Sequence, residues 1–464
     1  MESIALTAGE IAAVTGGRLI GGAADRRFER VSIDSRTVAA GDVFVAIRGD
    51  RFDGHDFVKA ALAAGAAGVV VSEPQAGDTA PVAIAVGDTT RALQDMSREV
   101  RRRSSAKVVA ITGSAGKTTT KELAAEFLSA RYDVFRNKGN LNNHIGLPLS
   151  LFELRRRPDV AVVELGMNHA GEIRTLVGIA EPDVRVWTNV GDAHLGFFAS
   201  PDAIADAKAE ILELARPTDV LVANADDPRV TARIGTFAGR HVTFGLSESA
   251  DVRARDVQYR GLDGTSATIT TRQGDVQITT PLLGTGNLAN VLAATAVATE
   301  LGVPLDAIAE RAATMKPASH RGELLRLAGG ITLIDDSYNS SPSALQQALE
   351  TVRVATGSAR KVAVVGEMLE LGSHSTELHA ACGRAAAKAG LDLLIAVGGD
   401  PARALAEAAQ AAGMPSSAVG YVRTSDEAAE LAGQRVRPGD LVLVKGSRGI
   451  RTDVVVDRLK VEYA

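Results

Sequence analysis

Cysteine is nearly absent from this chain of 464 residues, in which Cys382 stands alone. A single cysteine cannot form an internal disulfide, and no group of cysteine and histidine has the spacing of a zinc site. The chain also lacks an excess of positive charge, because 51 lysine and arginine residues face 56 aspartate and glutamate residues and the formal net charge is −5. Affinity for phosphate backbones needs basic side chains in excess, so a general nucleic-acid-binding protein is excluded.

Long hydrophobic runs are missing as well. The longest, residues 60–71, is interrupted by Gly65 and Gly68 and is too short to span a bilayer. The first five residues lack the basic segment and the apolar core of a secretory signal. We therefore expect a soluble, cytoplasmic protein without a membrane or nucleic-acid partner.

Short β-branched runs alternate with alanine-rich runs along most of the chain, which is the pattern of α/β domains with parallel sheets. At roughly 150 residues per domain, the length suggests about three domains. We predict domains at residues 1–103, 104–317 and 318–464. The basic, polar segment 101–105 would be a solvated linker between the first two, and the alternative is a phosphate-binding patch.

The predicted strands and helices indicate a fold type for the second and third domains. The central domain has a mostly parallel sheet of the phosphate-loop type, and alternating runs between residues 240 and 281 add a small antiparallel part. The third domain is Rossmann-like. Predicted strands cover residues 43–47, 67–71, 108–111, 160–163, 184–187, 220–222, 267–271, 276–280, 331–334, 361–365, 393–397 and 441–444. Predicted helices cover residues 57–64, 121–130, 287–301, 305–314, 343–354, 375–389 and 402–412, and one more begins at residue 90.

A candidate phosphate loop follows the first strand of the central domain. Residues 111–118 read Ile-Thr-Gly-Ser-Ala-Gly-Lys-Thr and precede a helix-forming run, so backbone N–H groups and a helix N-terminus would converge on anionic oxygens. Lys117 would neutralise phosphate charge, and the Thr118 hydroxyl would ligate Mg²⁺. The strict eight-residue pattern fails, because Ile111 stands where it requires glycine, but the shorter Gly-x-x-Gly-Lys-Thr form is present. The alternative is a glycine-bearing turn that binds nothing.

Two further candidates stand where neighbouring strands end. Glu164 follows the strand at residues 160–163, and His194 follows the strand at residues 184–187. A phosphate loop needs an acid from a neighbouring strand to complete its Mg²⁺ site, and the carboxyl ends of parallel strands share one sheet edge. The alternatives are a solvated loop glutamate and a structural histidine.

Lys208 is the most informative single residue. It lies four residues after Ile204 and three to four before Ile211 and Leu212, so helical spacing places it on the apolar, inward face. The pattern alone favours a lysine whose stem packs while its ammonium group reaches water.

Together these segments resemble the Mur ligase family, the ATP-dependent amide-forming enzymes of peptidoglycan precursor synthesis. The resemblance covers essentially the whole chain, in order. Its motifs are Asp34-Ser35-Arg36, Asp53-Gly54-His55-Asp56-Phe57, residues 112–122, Gly139-Asn140-Leu141-Asn142-Asn143, Glu164-Leu165-Gly166-Met167, Ala193-His194-Leu195, Lys208, Asn287-Leu288-Ala289-Asn290 and His320-Arg321-Gly322.

Two C-terminal motifs narrow the resemblance to one member of the family. Residues 335–342 (Asp-Asp-Ser-Tyr-Asn-Ser-Ser-Pro) and 445–449 (Lys-Gly-Ser-Arg-Gly) look like the ligase that adds D-alanyl-D-alanine to UDP-N-acetylmuramoyl-tripeptide. The ligase that adds the third amino acid typically carries Asp-Asn-Pro-Arg, which this sequence lacks. Two positions depart from the family: Ala115 is often asparagine there, and Asn287 follows Gly286 where relatives often have His-Asn.

The resemblance implies a role for each matched residue. ATP would be held by Gly113, Ser114, Ala115, Gly116, Lys117, Thr118, Thr119, Asn290, Arg321 and Asp336 or its neighbour Asp335. The UDP-linked substrate would be held by Ser35, Arg36, Asp53, Gly54 and His55 in the first domain, with Asn140, Asn142 and Asn143 in the second. The dipeptide would be held by Asn339, Ser340, Lys445 and Arg448. Two Mg²⁺ ions would be ligated by Thr118, Glu164, His194 and Lys208, and the catalytic residues would be Lys117, Lys208, Arg321 and His194.

The resemblance also implies that Lys208 is carboxylated at N6, as a carbamate. An unmodified ammonium group about 4 Å from Mg²⁺ would be repelled by roughly 8 kcal/mol at an effective dielectric constant near 20. Desolvation lowers the pKa of a lysine and frees the neutral amine for reaction with CO₂. The anionic carbamate can then ligate the second Mg²⁺.

The implied reaction is a two-step ligation. ATP converts the substrate carboxylate into an acyl phosphate, and the free amine of D-alanyl-D-alanine then displaces phosphate. No enzyme nucleophile is needed, and His374 is either a helper near the dipeptide or a solvated histidine at a helix start. Three alternatives stay open: another Mur-type or folylpolyglutamate-type ligase, a nucleotide-binding switch without ligation, and a dinucleotide oxidoreductase. The absence of Gly-x-Gly-x-x-Gly after any strand disfavours the last.

Overall fold

The computed structural model describes residues 3–49, 51–74, 79–192 and 195–464. Three large sheets follow one another along the chain, which confirms the predicted α/β class with mostly parallel strands. The domain limits 1–103, 104–317 and 318–464 fall between these sheets and stay a prediction. In the part of the chain that the structure describes, no helix is long and apolar enough to cross a bilayer.

The first sheet has short, buried, β-branched strands at its centre. Its section of the chain contains β1 (Leu6–Thr7), α1 (Ala8–Val14), β2 (Arg18–Gly21), β3 (Arg27–Phe28), β4 (Val31–Ser32), β5 (Val43–Val45), α2 (Val58–Ala63), β6 (Gly68–Val71), β7 (Ala83–Ala85) and α3 (Thr89–Arg103). The strand order is β2-β7-β6-β5-β4, with β2 antiparallel to β7 and the other neighbours parallel. Strands β1 and β3 form a separate antiparallel pair.

The expected solvated linker at residues 101–105 is wrong. Helix α3 continues through the basic run, and the buried Arg101 guanidinium donates hydrogen bonds of 2.9 Å to the carbonyl oxygens of Ala180 and Glu181 and to the Asp183 carboxylate. These acceptors belong to the central sheet's section of the chain. The basic run therefore fastens the last helix of the first section to the second.

The central section forms the largest of the three sheets, with nine strands among the described residues. It contains β8 (Lys107–Thr112), α4 (Lys117–Leu128), β9 (Val134–Arg136), α5 (Gly146–Leu151), β10 (Val160–Glu164), α6 (Glu172–Ala180), β11 (Val184–Trp187), α7 (Pro201–Ala209), β12 (Val220–Asn224), α8 (Pro228–Thr231), β13 (Arg240–Gly245), β14 (Val252–Tyr259), β15 (Thr265–Thr271), β16 (Gly274–Thr280), α9 (Gly284–Glu300) and α10 (Leu305–Thr314). The strand order is β16-β15-β14-β13-β12-β11-β8-β10-β9.

Neighbouring strands of this sheet are parallel from β9 to β14, and β14, β15 and β16 are antiparallel. The antiparallel part lies where the alternating runs predicted it. Because β8, β10 and β11 are parallel neighbours, their carboxyl ends meet at one edge of the sheet.

The third section forms the third large sheet, which is also mostly parallel. It contains β17 (Glu323–Arg326), β18 (Thr332–Asp336), α11 (Pro342–Val354), β19 (Arg360–Gly366), α12 (Ser375–Lys388), β20 (Leu393–Val397), α13 (Asp400–Ala411), β21 (Val419–Val422), α14 (Ser425–Arg435), β22 (Asp440–Lys445) and α15 (Asp453–Glu462). The strand order is β17-β18-β22-β19-β20-β21, and only the β17–β18 pair of these described strands is antiparallel. The Rossmann-like prediction is confirmed, and the ends of β18 and β22 lie side by side.

Candidate active site

The predicted phosphate loop joins β8 to α4, and its backbone requires two glycines. Gly113 has a φ of +152° and Gly116 a φ of +79°. A Cβ atom would lie 1.9 Å from the Thr188 hydroxyl oxygen at the first position and 2.2 Å from the Asn290 side-chain oxygen at the second. No side chain caps the start of α4. The N–H groups of its first turn therefore lack partners within the helix, which is the arrangement that binds anions.

Asn189 fixes the shape of this loop. Its Oδ1 accepts a hydrogen bond from the Ala115 N–H at 2.8 Å, its Nδ2 donates to the Ala115 carbonyl at 3.1 Å, and its own carbonyl accepts from the Ser114 N–H at 3.0 Å. The sequence-based prediction missed this residue. Its position just beyond the end of β11, at the edge that β8 and β10 share, is the signal that would have found it.

Glu164 lies beside the phosphate loop, as predicted from its place at the end of β10. It is 4% exposed, and the register of the parallel pair sets it opposite Ile111. Its carboxylate accepts hydrogen bonds from the Thr118 hydroxyl at 2.7 Å and from the Asn142 amide at 2.8 Å. Thr118 and Glu164 thus offer adjacent oxygen donors of the kind that Mg²⁺ prefers.

Lys117 lies across its own loop. Its ammonium group donates to the carbonyl oxygens of Gly113 at 2.8 Å and Ser114 at 3.4 Å. Burial lowers the pKa of Lys117 below its ordinary value. The Glu164 carboxylate opposes this shift, and the Arg321 guanidinium adds to it. Lys117 of the central section and Arg321 of the C-terminal section therefore lie close enough to interact beside the phosphate loop.

A cleft of about 800 Å³ lies between the central and C-terminal sections. Predicted site residues from both sections line it: Ser114, Ala115, Gly116, Lys117, Thr118, Thr119, Asn140, Asn142, Asn143, Glu164, Asn290, Arg321, Asp336, Asn339, Ser340 and Lys445. The residues expected to contact the nucleotide thus line one cavity, apart from Gly113 and Asp335.

Aromatic stacking holds Arg321 on the far wall of the cleft. Its guanidinium carbon lies 4.1 Å from the centre of the Tyr338 ring, and that of Arg448 lies 5.5 Å from the same centre. Such cation–π contacts orient a guanidinium group while leaving N–H groups available. Tyr338 lies within a motif quoted for the family resemblance but was given no role from the sequence.

Asp336 and Lys445 form a pair at the neighbouring ends of β18 and β22. The Lys445 ammonium group donates to the Asp336 carboxylate at 2.7 Å and to the Asn339 carbonyl oxygen at 3.0 Å. Lys445 is 3% exposed. Its charge is therefore neutralised by a carboxylate that itself faces the cleft.

Asp335 does not reach the cleft. It is fully buried, with Oδ2 2.7 Å from the His320 Nδ1 and Oδ1 accepting from the Ser337 hydroxyl at 2.6 Å. Successive strand residues face opposite sides of a sheet, so the two neighbouring aspartates cannot do the same work. The expectation that Asp335 replaces Asp336 at the nucleotide is corrected.

Lys208 lies on the buried face of α7, as its helical spacing predicted. Its side chain is 1% exposed, so the interpretation in which the ammonium group reaches water is wrong. Burial lowers its pKa well below the ordinary value, nearby Lys117 lowers it further, and Glu164 partly opposes this. The amine is therefore held close to the loop lysine and the strand-end carboxylate without lining the cleft.

The predicted substrate residues of the first section are not brought to this cleft. Arg36 is exposed and forms a two-point ion pair with Asp34, at 2.9 and 2.7 Å, which lowers the pKa of Asp34 to about 2. Ser35 lies between them. This loop follows β4, on the first sheet.

Asp53, His55 and Ser72 resemble a nucleophilic triad in outline only. The His55 Nδ1 lies 2.6 Å from the Asp53 carboxylate, but its Nε2 accepts the Ser72 backbone N–H at 2.9 Å. The nitrogen that would act as a base is thus occupied. Gly54 is needed for close packing, because a Cβ atom there would lie 2.6 Å from the Ile47 nitrogen.

The remaining predicted residues differ in what their side chains do. The Asn143 side-chain oxygen accepts from the N–H of Gly146, the first residue of α5, at 2.8 Å. Ser340 is 7% exposed and lines the cleft, and its buried hydroxyl has no hydrogen-bond partner among the described residues. His374 is exposed, in agreement with a solvated histidine. His194 lies outside the described residues.

The fold and the site together define a class. A phosphate loop on a parallel sheet, a strand-end carboxylate beside it and a second α/β domain across the cleft are the parts of a site for nucleotide-dependent phosphoryl transfer. Family models match this chain as the Mur ligase family catalytic domain over residues 27–117, the Mur ligase middle domain over residues 111–298 and the Mur ligase glutamate ligase domain over residues 320–448. The chain belongs to the Mur ligase family.

Individual relatives match over nearly the whole length. The chain is 32% identical to the UDP-N-acetylmuramoyl-tripeptide–D-alanyl-D-alanine ligase of Bacillus subtilis, over 92% of each chain. A crystal structure of MurF from Acinetobacter baumannii is 32% identical, with a TM-score of 0.89 over 99% of this chain and 100% of that one. MurF from Thermotoga maritima, in complex with ADP, is 31% identical, with a TM-score of 0.83 over 93% of this chain and 97% of that one.

Proposed function

We propose that this chain joins D-alanyl-D-alanine to UDP-N-acetylmuramoyl-tripeptide at the expense of ATP, as a monomer in the cytoplasm. The relatives and structures named above carry that activity or the corresponding protein name. The observation that carries the proposal is the single cleft in which the phosphate loop faces Arg321, Asp336 and Lys445 from the other domain.

The nucleotide would be bound from both walls. Lys117 and the free N–H groups at the start of α4 would contact its phosphates, and Arg321 would approach them from the opposite side. Asn290 would contact the adenine, since it lines the cleft beside Gly116. Asp336 would bind the ribose.

The residues present fit a Mg²⁺ ion only when other oxygens contribute. Thr118 and Glu164 supply adjacent oxygens, but no group of three or more His, Cys, Asp and Glu among the described residues is arranged to hold a metal. Mg²⁺ usually keeps few protein ligands and takes the rest from phosphates and water. His194 and a carboxylated Lys208 would complete two such sites. When bound, the ions supply positive charge to the transferring phosphoryl group.

Carboxylation of Lys208 is supported by its burial. A lysine that is 1% exposed and whose pKa is lowered by burial and by Lys117 holds a larger share of neutral amine than an exposed lysine. The neutral amine can attack CO₂, forming an N–C bond and losing one proton. The resulting anion would also relieve the repulsion between Lys208 and Lys117.

The substrate carboxylate would attack the terminal phosphorus of ATP, which releases ADP and leaves an acyl phosphate. Lys117 and Arg321 would stabilise the negative charge that is transferred. The amine of D-alanyl-D-alanine would then attack the acyl carbon, form the amide and release phosphate. Lys445, Arg448, Asn339 and the unpaired hydroxyl of Ser340 lie at or beside the wall where the dipeptide would bind.

The UDP end would be held elsewhere, by Ser35, Arg36, Asp53, Gly54 and His55 in the first domain. Asn140, Asn142 and Asn143 would lie between that domain and the phosphate loop, towards the peptide. The hydrogen bonds from Arg101 to the central section support this arrangement of the substrate, because they attach the first domain to the domain that carries the phosphate loop.

Omission of single substrates tests the proposal. Phosphate release should require ATP, UDP-N-acetylmuramoyl-tripeptide and D-alanyl-D-alanine together, and the product should have the mass of the amide. Turnover with a single amino acid would identify another Mur-type ligase, and glutamate addition to a folate would identify the folylpolyglutamate type. ATP binding without any amide product would indicate a switch and contradict the proposal.

A further inference from the structure

Lys121 is a buried cation with no part in the chemistry described above. It lies one helical turn after Lys117 in α4 and is 1% exposed. Its ammonium group donates to the Asn137 carbonyl oxygen at 2.6 Å and lies 3.1 Å from the Glu122 carboxylate. A buried ammonium group persists only when it is paired and hydrogen-bonded. The position of its partner is therefore tied to α4.

Asn137 is itself 1% exposed and connects three parts of the structure. Its Oδ1 accepts from the Glu164 backbone N–H at 3.1 Å, and its Nδ2 donates to the Leu141 carbonyl oxygen at 3.0 Å. Its backbone carbonyl oxygen accepts the hydrogen bond from the Lys121 ammonium group. One asparagine thus joins helix α4, the end of β10 and the loop of residues 137–143.

These connections close into a ring at the Glu164 carboxylate. Asn142, from the same loop, donates to one carboxylate oxygen at 2.8 Å, and Thr118 donates to the other at 2.7 Å. Thr118 and Lys121 both belong to α4, so the path from the helix through Asn137 to Glu164 returns to the helix. A ring of this kind leaves the carboxylate little freedom to turn.

We infer that Lys121 and Asn137 are positioning residues that hold the Glu164 carboxylate against Thr118, ready for the cation that accompanies nucleotide phosphates. The inference rests on the proposed function only in taking a Mg²⁺–nucleotide as the ligand. Among the described residues that line the cleft, neither Lys121 nor Asn137 is found, so both act through Glu164. Removing such a partner weakens metal binding without removing a ligand.

Calorimetric titration with ADP, with and without Mg²⁺, tests the inference in the full-length protein. Lys121→Met keeps the stem and removes the charge. ADP affinity without Mg²⁺ should stay near that of the wild type, whereas the gain in affinity from Mg²⁺ should shrink by about 10- to 100-fold, as expected for loss of an outer partner of a metal ligand. Lys138→Met changes an exposed lysine next to Asn137 and should match the wild type.

Asn137→Ser provides an independent variant should Lys121→Met not fold, because it keeps the backbone carbonyl and removes the side-chain amide. An unchanged gain from Mg²⁺ in a folded variant overturns the inference, and so does an equal loss of ADP affinity with and without Mg²⁺. Wild-type protein that binds Mg²⁺–ADP but forms no amide contradicts the proposed function and leaves this inference standing.

Discussion

The hydroxyl of Thr118 donates a 2.7 Å hydrogen bond to the carboxylate of Glu164, although 46 residues separate them in the chain. The first stands at the start of α4 and the second at the end of β10. The parallel pairing of β8 and β10 brings these two points together. Under the proposed function, these two residues would hold the Mg²⁺ that accompanies the phosphates of the nucleotide.

Replacing Thr118 by valine should therefore abolish most activity while preserving shape. The hydroxyl would be lost from the cation site, and we expect the rate of phosphate release with all three substrates to fall by at least about 100-fold, the upper range for loss of outer partners of a metal. Thr118→Ser keeps the oxygen and should retain most of the rate. Equal rates for Thr118→Val and the wild type would exclude this hydroxyl as a ligand.

Lys208→Ala should be inactive, because the anion proposed at this position would be lost. Acetate or formate should restore part of the activity by supplying a carboxylate to the space left behind. Lys107→Ala removes a lysine that is 61% exposed and serves as the control, with activity expected near that of the wild type. Full activity of Lys208→Ala without added carboxylate would refute the carbamate.

The same lysine predicts a pH dependence. Burial lowers the pKa of Lys208, so its neutral form, which reacts with CO₂, persists to lower pH than that of an exposed lysine. Acidification protonates the amine and favours release of CO₂. Stimulation of the wild-type enzyme by bicarbonate should therefore grow as the pH falls, and it should be absent in Lys208→Ala at every pH. A wild-type rate that does not change when bicarbonate is added, at any pH, would contradict this expectation.

Strand ends were predictable from the sequence because parallel strands align their carboxyl ends, and Glu164 was found in that way. Asn189 obeys the same rule, but it carries no charge and belongs to no quoted motif, so its position beyond the end of β11 was overlooked. Asp335 and Asp336 could not be told apart, since only the pleat of the finished sheet decides which one faces the cleft. The spacing around Lys208 predicted its face, but whether its end reaches water depends on elements packed over it.

The error at residues 101–105 has a similar origin. Three consecutive arginines usually indicate a solvated surface, and three of the four acceptors of Arg101, in Ala180, Glu181 and Asp183, lie about 80 residues further along the chain. Charge patterns describe which side chains need partners. They do not say whether distant parts of the chain supply them.

Arg101 and its neighbour Arg102 offer a matched comparison of stability. Arg101→Met would leave the Asp183 carboxylate and the carbonyl oxygens of Ala106, Ala180 and Glu181 without this donor, and the free energy of unfolding should fall by about 3–5 kcal/mol. Arg102 is 52% exposed, so Arg102→Met should cost less than about 1 kcal/mol. Urea unfolding of the three proteins measures both values. Similar losses for the two variants would mean that burial of the guanidinium group does not matter.

The imidazole of His379 is fully buried in α12 and supports the loop after β19. Its Nε2 accepts the Met368 N–H at 2.9 Å, and its Nδ1 lies 2.7 Å from the Ser375 carbonyl oxygen, which requires a neutral ring protonated at Nδ1. Burial lowers the pKa of His379, against the opposing effects of Ser375 and Glu367. As the pH falls, the ring of His379 is therefore protonated at a higher pH in the unfolded chain than in the folded protein.

Because the folded pKa lies below the unfolded value of about 6.5, His379 stabilises the fold above that pH and destabilises it as the pH falls, by at most about 1.4 kcal/mol per pH unit. His379→Gln retains an acceptor for the Met368 N–H but does not titrate. Its urea midpoint should fall less steeply than that of the wild type between pH values of about 7 and 5. The exposed His374, five residues earlier, gives the control: His374→Gln should keep the wild-type slope. If His379→Gln and the wild type lose stability in parallel over this range, protonation of the buried ring is not what weakens the fold in acid.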